Sequence, residues 1–282
     1  MADILKGGPV ASAISEDLII RTKQLKARGI HPCLAILRVG ERADDLAYER
    51  GAVKRCEAIG IDIRHYVLPQ DVTQNRLMET ITLINADPSV HGCLMFRPLP
   101  KTLDEKAACA ALDPGKDIDG ISPASMAMVY AGYGDGFAPC TPQSCLELLR
   151  HYRVEISGKR VAVIGRSMVI GRPVAMLLTV ADGTVTLCHS KTRNLSDMIR
   201  EADIVIVAVG KAESIGADCF HSGQVVVDVG INWSDAKQKL VGDVDFDAVE
   251  PVVSAITPVP AGVGSVTTAV LCKHVIEAAE RF

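Results

Sequence analysis

Residues 160–181 read RVAVIGRSMVIGRPVAMLLTVA, and this stretch decides the fold. An apolar, β-branched run at 161–164 ends on Gly165, and a helical pattern follows from Arg172. A strand that turns on glycine into a helix opens a dinucleotide-binding βαβ unit. Gly165 permits the tight turn, and Gly171 permits close packing or close approach of a ligand to the backbone. The helix start then offers N–H groups and a positive dipole end to a pyrophosphate. The pattern is Gly-x-Ser-x-x-x-Gly, so Ser167 stands where the usual fingerprint has its second glycine. Downstream, 184–189 reads as a strand, 194–202 as a helix, and 203–210 and 224–230 as two further strands. The expectation is a doubly wound, Rossmann-type parallel sheet.

Upstream the same alternation holds. Cys33–Val39 reads as a strand, 45–60 as a helix closed by Gly60, 61–67 as a strand, 74–87 as a helix and 91–96 as a strand. The strand at 91–96 runs into RPLP, a prolyl loop at a strand's C-terminal end, where ligands of α/β sheets bind. Segment 117–141, rich in Gly, Pro, Met and Ser, reads as irregular; 142–151 reads as a helix, and the tail 266–282 as another. The expected fold class is therefore α/β with two domains. Residues 1–145, completed by the tail helix, form an N-terminal α/β domain, and 146–265 form the Rossmann-type domain.

Composition narrows the function. A chain of 282 residues holds two modest cores. Its net charge of -4 and lack of any basic block speak against nucleic-acid or membrane partners. The start, MADILKGG, lacks the basic segment and apolar run of a secretory signal, so a cytoplasmic location is expected. Nine cysteines without a C-x-x-C pair read as buried free thiols, and no metal site is expected.

The strand at 184–189 ends in HSKTRN, with Ser190, Lys191 and Arg193 where an NAD site usually has Asp or Glu. With Arg166 in the glycine turn, the missing acid and added cations suit a 2′-phosphate, hence NADP. Lys191 and Arg193 equally fit a solvated surface turn.

Tyr48, PLP at 98–100, KDIDG at 116–120, PCTP at 139–142, GRS-x-x-x-GRP at 165–173, HSKT at 189–192, DVGIN at 228–232, VGDV at 241–244 and TPVPAGVG at 257–264 occur together and in order. The set resembles the bifunctional methylene-tetrahydrofolate dehydrogenase/cyclohydrolase family, over nearly the whole chain. The resemblance implies a homodimer, NADP as cofactor, a folate substrate in a cleft between the two domains, and hydride transfer from its methylene carbon. It assigns Tyr48 and Asp119 to catalysis, with Tyr48 stacking on the pterin and Asp119 holding the pterin's polar edge. Pro98, Leu99, Pro100, Pro260, Gly262 and Gly264 would join them in binding folate. Gly165, Arg166, Ser167, Gly171, Pro173, His189, Ser190 and Ile231 would hold the cofactor. Taken singly, Tyr48 also fits helix packing, Asp119 a turn, and Gly262 and Gly264 a permissive loop.

The sequence departs from the family at several positions that fall on one side of the active site. The family's helix carries Tyr-x-x-x-Lys, and that lysine is the acid/base of the cyclohydrolase step; here the fourth residue after Tyr48 is Ala52. Lys54 lies about 200° round the helix from position 52, and the guanidinium of Arg55 is a poor proton shuttle. Phe96 replaces the family's Gln, Asp45 its Ser, and Ala261 and Ser265 a Gly and a Pro. The expectation is a dehydrogenase with weak or absent cyclohydrolase activity. The alternative is the full bifunctional enzyme with Arg50, Arg97 or Asp45 recruited.

Overall fold

The computed structural model describes residues 1–281. In chain order the elements are β1 (Asp3–Ile4), α1 (Gly7–Ala27), β2 (Cys33–Val39), α2 (Ala43–Ile59), β3 (Asp62–Leu68), α3 (Gln74–Ala86), β4 (Gly92–Met95), α4 (Glu105–Ala111), α5 (Pro123–Ala131), α6 (Cys140–His151), β5 (Arg160–Ile164), α7 (Gly171–Val180), β6 (Thr184–Cys188), α8 (Leu195–Arg200), β7 (Ile204–Val207), β8 (Val225–Asp228), β9 (Asn232–Ser234), β10 (Lys239–Val241), α9 (Phe246–Val249), β11 (Ala255–Ile256) and α10 (Thr267–Ala279), with two short 3₁₀ turns besides. They form two compact units. One holds Met1–Ala11 and Thr141–Thr267; the other holds Ser12–Cys140 and 268–281.

The first unit is built on a six-stranded sheet of order β1-β11-β8-β7-β5-β6, parallel throughout. β5 lies between β6 and β7, so the strand order reverses at its C-terminal end, where a doubly wound sheet opens its binding crevice. The sequence places residues 1–11 with the N-terminal domain; in the structure they join this unit instead. Asp3 and Ile4 pair with Ala255 and Ile256, and Ala2 enters the core with Val226 and Ile256. Two strand residues carry too little periodicity to be read from sequence, and their partner lies some 250 positions away. β9 and β10, which form an antiparallel hairpin, also escape the sequence reading.

The second unit is built on a three-stranded parallel sheet of order β3-β2-β4. All seven residues of β2 are buried, as a central strand demands. One sheet face packs Leu37, Val39, Cys93 and Met95 against Leu77, Ile81 and Ile84 of α3. α1, α4 and α5 carry no assignment in the sequence reading. α5 lies inside the segment expected to be irregular, because its start is local chemistry rather than apolar periodicity. Ser122 caps the helix by accepting from the Ser125 N–H, and Pro123 sits in the first turn. The tail helix ends at Ala279; Phe282, which the sequence reading includes in it, lies outside the described residues.

No helix among the described residues is long and apolar enough to cross a membrane. Eight of the nine cysteines are buried and all nine are free thiols, with burial pushing Cys93 and Cys145 up to about 12.

Candidate active site

In the three-stranded unit the expected folate residues gather at the C-terminal ends of β2 and β4. Tyr48, half-buried on α2, meets Phe96 edge-on, with ring centroids 6.0 Å apart and planes at 82°. Phe96 follows β4 directly, and the Arg97–Pro98 peptide beyond it is cis. Glu105 fixes this segment by accepting from the Leu99 N–H at 2.8 Å, and Arg42 Nη1 donates to the Pro98 carbonyl at 3.2 Å. Leu99 is buried, Pro100 is half-buried and Pro98 is exposed.

The KDIDG segment runs alongside β4, joined by the Cys93–Asp117 bridge. Its two acids have different work. Asp117 is fully buried and accepts from the Ile121 and Ser122 N–H groups and the Ser125 hydroxyl, which makes it the structural residue of the turn. Lys116 donates to the carbonyls of Ile84, Asn85 and Asp87, closing the C-terminal end of α3. Asp119, by contrast, is bonded by Cys140, whose N–H donates to its Oδ1 at a long 3.3 Å. Desolvation pushes its carboxyl above the ordinary range, against the hydrogen bonds of Cys140 and the charge of Arg97. A desolvated carboxylate with spare acceptor capacity suits recognition of a planar N–H edge. Gly120 must be glycine: its φ is +60°, and a Cβ would lie 2.6 Å from the Phe137 carbonyl.

In the six-stranded unit the glycine turn closes tightly. Gly165 has φ +122°, and a Cβ there would lie 2.1 Å from the Ala208 carbonyl oxygen; on Gly171 it would lie 2.0 Å from that of Gly165. Ser167 Oγ accepts from the N–H groups of Ile170 and Gly171, tying the glycine turn to the start of α7. Pro173 is buried in the first turn of α7. The end of β6 is held to the turn by Gly165 N–H donating to the Cys188 carbonyl at 2.9 Å. Arg166, Ser190, Lys191 and Arg193 are all exposed. His189 closes its own loop, its Nδ1 accepting from the Lys191 N–H and its N–H bonding Thr192 Oγ1.

Ile231, expected at the cofactor, and Pro260, Gly262 and Gly264, expected at folate, line one pocket of about 170 Å³. Two aspartates that the sequence reading quotes without a role shape this region. Asp243 is fully buried and accepts from the N–H groups of Val209, Gly210 and Lys211 and from the Asn232 amide. Asp228 accepts from Gly230, Asp243 and Val244. Burial pushes Asp228 up to about 6, against those three backbone bonds. The signal for both was the flanking glycine: a Cβ on Gly230 would strike Asp243, and one on Gly242 would strike Asp228.

Comparison with known proteins decides the family. Residues 5–119 match the catalytic-domain model of tetrahydrofolate dehydrogenase/cyclohydrolase, and 139–282 match its NAD(P)-binding-domain model. The chain belongs to the tetrahydrofolate dehydrogenase/cyclohydrolase family. It is 51% identical over 281 residues to the bifunctional protein FolD of Carboxydothermus hydrogenoformans, covering 99% of this chain and 98% of that one. It is similar to the crystal structure of the bifunctional FolD of Campylobacter jejuni, with TM-score 0.96 and 38% identity over 100% of this chain and 99% of that one. It is also similar to the Trypanosoma brucei enzyme complexed with NADP and an inhibitor, with TM-score 0.91 and 35% identity over 99% and 98% of the chains.

Around position 52 the candidate proton carriers have the following surroundings. Ala52 has no exposed surface. Lys54 is exposed, on another face of α2. Arg55 is committed elsewhere, its Nε donating to Thr268 Oγ1 at 2.8 Å and its Nη1 to Ser15 Oγ at 2.9 Å. Arg97 lies 4.0 Å from Glu105, and Arg50 is exposed. Asp45 is buried with its carboxyl pushed up by desolvation; its ion-pair partner Arg42 is 3.9 Å away.

Proposed function

We propose that this chain is an NADP-dependent 5,10-methylenetetrahydrofolate dehydrogenase that hydrolyses its methenyl product slowly or not at all. NADP, when bound, supplies the hydride acceptor, and the folate's methylene carbon gives up the hydride. The residues fit this cofactor. Glycine at 165 and 171 lets the turn close against the Ala208 and Gly165 carbonyls at the start of α7, and exposed Arg166, Lys191 and Arg193 offer positive charge where β5 and β6 end without a carboxylate. The NADP complex of the Trypanosoma brucei relative supports the same assignment. On the folate side, Tyr48 stacks on the pterin and Asp119 accepts from its N–H groups. The segments at 98–100 and 260–264 border the substrate. We read the protein as a cytoplasmic homodimer, with the family resemblance as support.

One observation carries the reading on hydrolysis: position 52 is a fully enclosed alanine, while Lys54 and Arg55 are exposed and bonded elsewhere respectively. Hydride transfer needs chiefly alignment. Hydrolysis needs a positioned acid/base, worth about 10²–10⁴ in rate. The second reading, a full bifunctional enzyme, is favoured by the names of the relatives at about half identity. Following NADPH and methenyl-tetrahydrofolate separately during turnover distinguishes the two. Equal accumulation of both supports the dehydrogenase. Formyl-tetrahydrofolate formed as fast as NADPH establishes the bifunctional enzyme, and Asp45→Asn then tests the buried carboxyl as its proton carrier.

A further inference from the structure

We infer that Glu49 is a positioning residue for folate, acting through the helix that carries Tyr48. Glu49 is buried on α2, one residue beyond Tyr48. Its Oε2 accepts from Arg38 Nε on β2 at 2.8 Å, and its Oε1 lies 3.1 Å from His65 Nδ1 on β3. Arg38 is buried too, and its Nη1 also donates to the Gly40 carbonyl where β2 ends. One carboxylate thus joins α2 to two adjacent strands and to a strand-end turn.

The arrangement is costly as mere stabilisation. Burying a guanidinium and a carboxylate demands a desolvation penalty that an apolar pair avoids. What the ion pair supplies is geometric definition. The buried residues of α2 are Asp45, Glu49, Ala52, Cys56 and Ile59, with Leu46 and Val53 half-buried. In the first half of the helix the buried side chains are the two carboxylates Asp45 and Glu49, so the bonds of Glu49 define where that half sits. The helix start adds no side-chain cap, since Arg42 makes no capping bond. Arg55 pins the second half of α2 to Ser15 and Thr268. Glu49 pins the first half, and with it the position of the Tyr48 ring against Phe96.

The inference rests on the proposal that Tyr48 meets folate, and the experiment separates the two. Wild-type protein must first turn over methylene-tetrahydrofolate with NADP; if it does not, the functional reading fails. Given turnover, Glu49→Gln, Glu49→Asp and the double variant Arg38→Met/Glu49→Met are compared for Tm, KM for folate, KM for NADP and kcat. The double variant removes both charges and keeps the volume, so it folds even where Glu49→Gln leaves Arg38 buried and unpaired. Positioning predicts that the double variant regains the wild-type Tm while its folate KM stays raised roughly tenfold or more, with NADP KM unchanged. Glu49→Asp should recover part of the folate KM. A double variant with both Tm and folate KM at wild-type values overturns the inference and leaves the pair purely structural.

Discussion

At the scale of single residues, the two expected ligand contacts make opposite demands on the fold. Arg166 is exposed in the glycine turn and so bears no burial penalty. Its proposed contact with a 2′-phosphate is a charge-assisted bond of about 1.5–3 kcal/mol. Arg166→Ala should therefore raise KM for NADP roughly 10- to 100-fold and leave KM for NAD nearly unchanged; equal loss for both cofactors removes the phosphate role. Asp119 does cost the protein something. Desolvation raises its folded pKa, so the folded state holds the proton to higher pH than the unfolded chain does. Ionising it opposes folding, and that opposition is relieved as pH falls through the raised value. Asp119→Asn should then raise Tm where the wild-type carboxyl is ionised, with the gain narrowing as pH falls, while folate turnover falls sharply and NADP binding persists. Turnover by the wild type should also weaken on the acid side, as the carboxylate takes up its proton. Calorimetry across pH, paired with the dehydrogenase assay, checks both halves. A variant that melts higher and still turns over folate would mark Asp119 as an ordinary turn residue.

At the scale of elements, the loop TPVPAGVG shows a mismatch between residue and conformation. Ala261 has φ +77°, the left-handed region where a Cβ is penalised. The loop holds it there because the Ala261 carbonyl accepts from the Gly7 N–H at 2.8 Å. Gly262 beside it has no room for a Cβ, the Pro258 carbonyl lying 2.3 Å away. Ala261→Gly should stabilise the six-stranded unit by about 1 kcal/mol, or a Tm rise of roughly 2–4 °C. A fall in Tm would mean that the added freedom of the unfolded glycine outweighs the relief. The elements themselves were legible to different degrees. β2, β3, α3, β5, α7 and β8 announce themselves by apolar runs or helical spacing; β2 has the expected bounds and the others lie within two residues of them. α4 and α5 do not, since each is short and starts on a cap: Asp104 accepts from the Ala107 N–H, and Ser122 from that of Ser125.

At the scale of the whole molecule, one chain feeds two cores, and it crosses from one to the other within α1 and again near Cys140 and Thr267. The proposed homodimer belongs to this scale. Sedimentation at micromolar concentration should give twice the 30.1 kDa chain mass; a monomer at that concentration contradicts the proposal. By itself the sequence determined the α/β class, the glycine turn, the family and the absence of a lysine at position 52. Each of these is written locally, as a period, a spacing or a residue type. Only the tertiary structure decided that residues 1–11 belong with the dinucleotide-binding sheet, through pairing of Asp3 with Ala255. It alone separated Asp117, which accepts from Ile121, Ser122 and Ser125, from Asp119 two positions on, which is bonded by Cys140. It alone joined Arg38, Glu49 and His65, which lie on three different elements. The physical reason is common to all three. Whether a polar group is spent on the fold or left for a ligand depends on which partners reach it in space, and sequence spacing does not encode distances across a sheet.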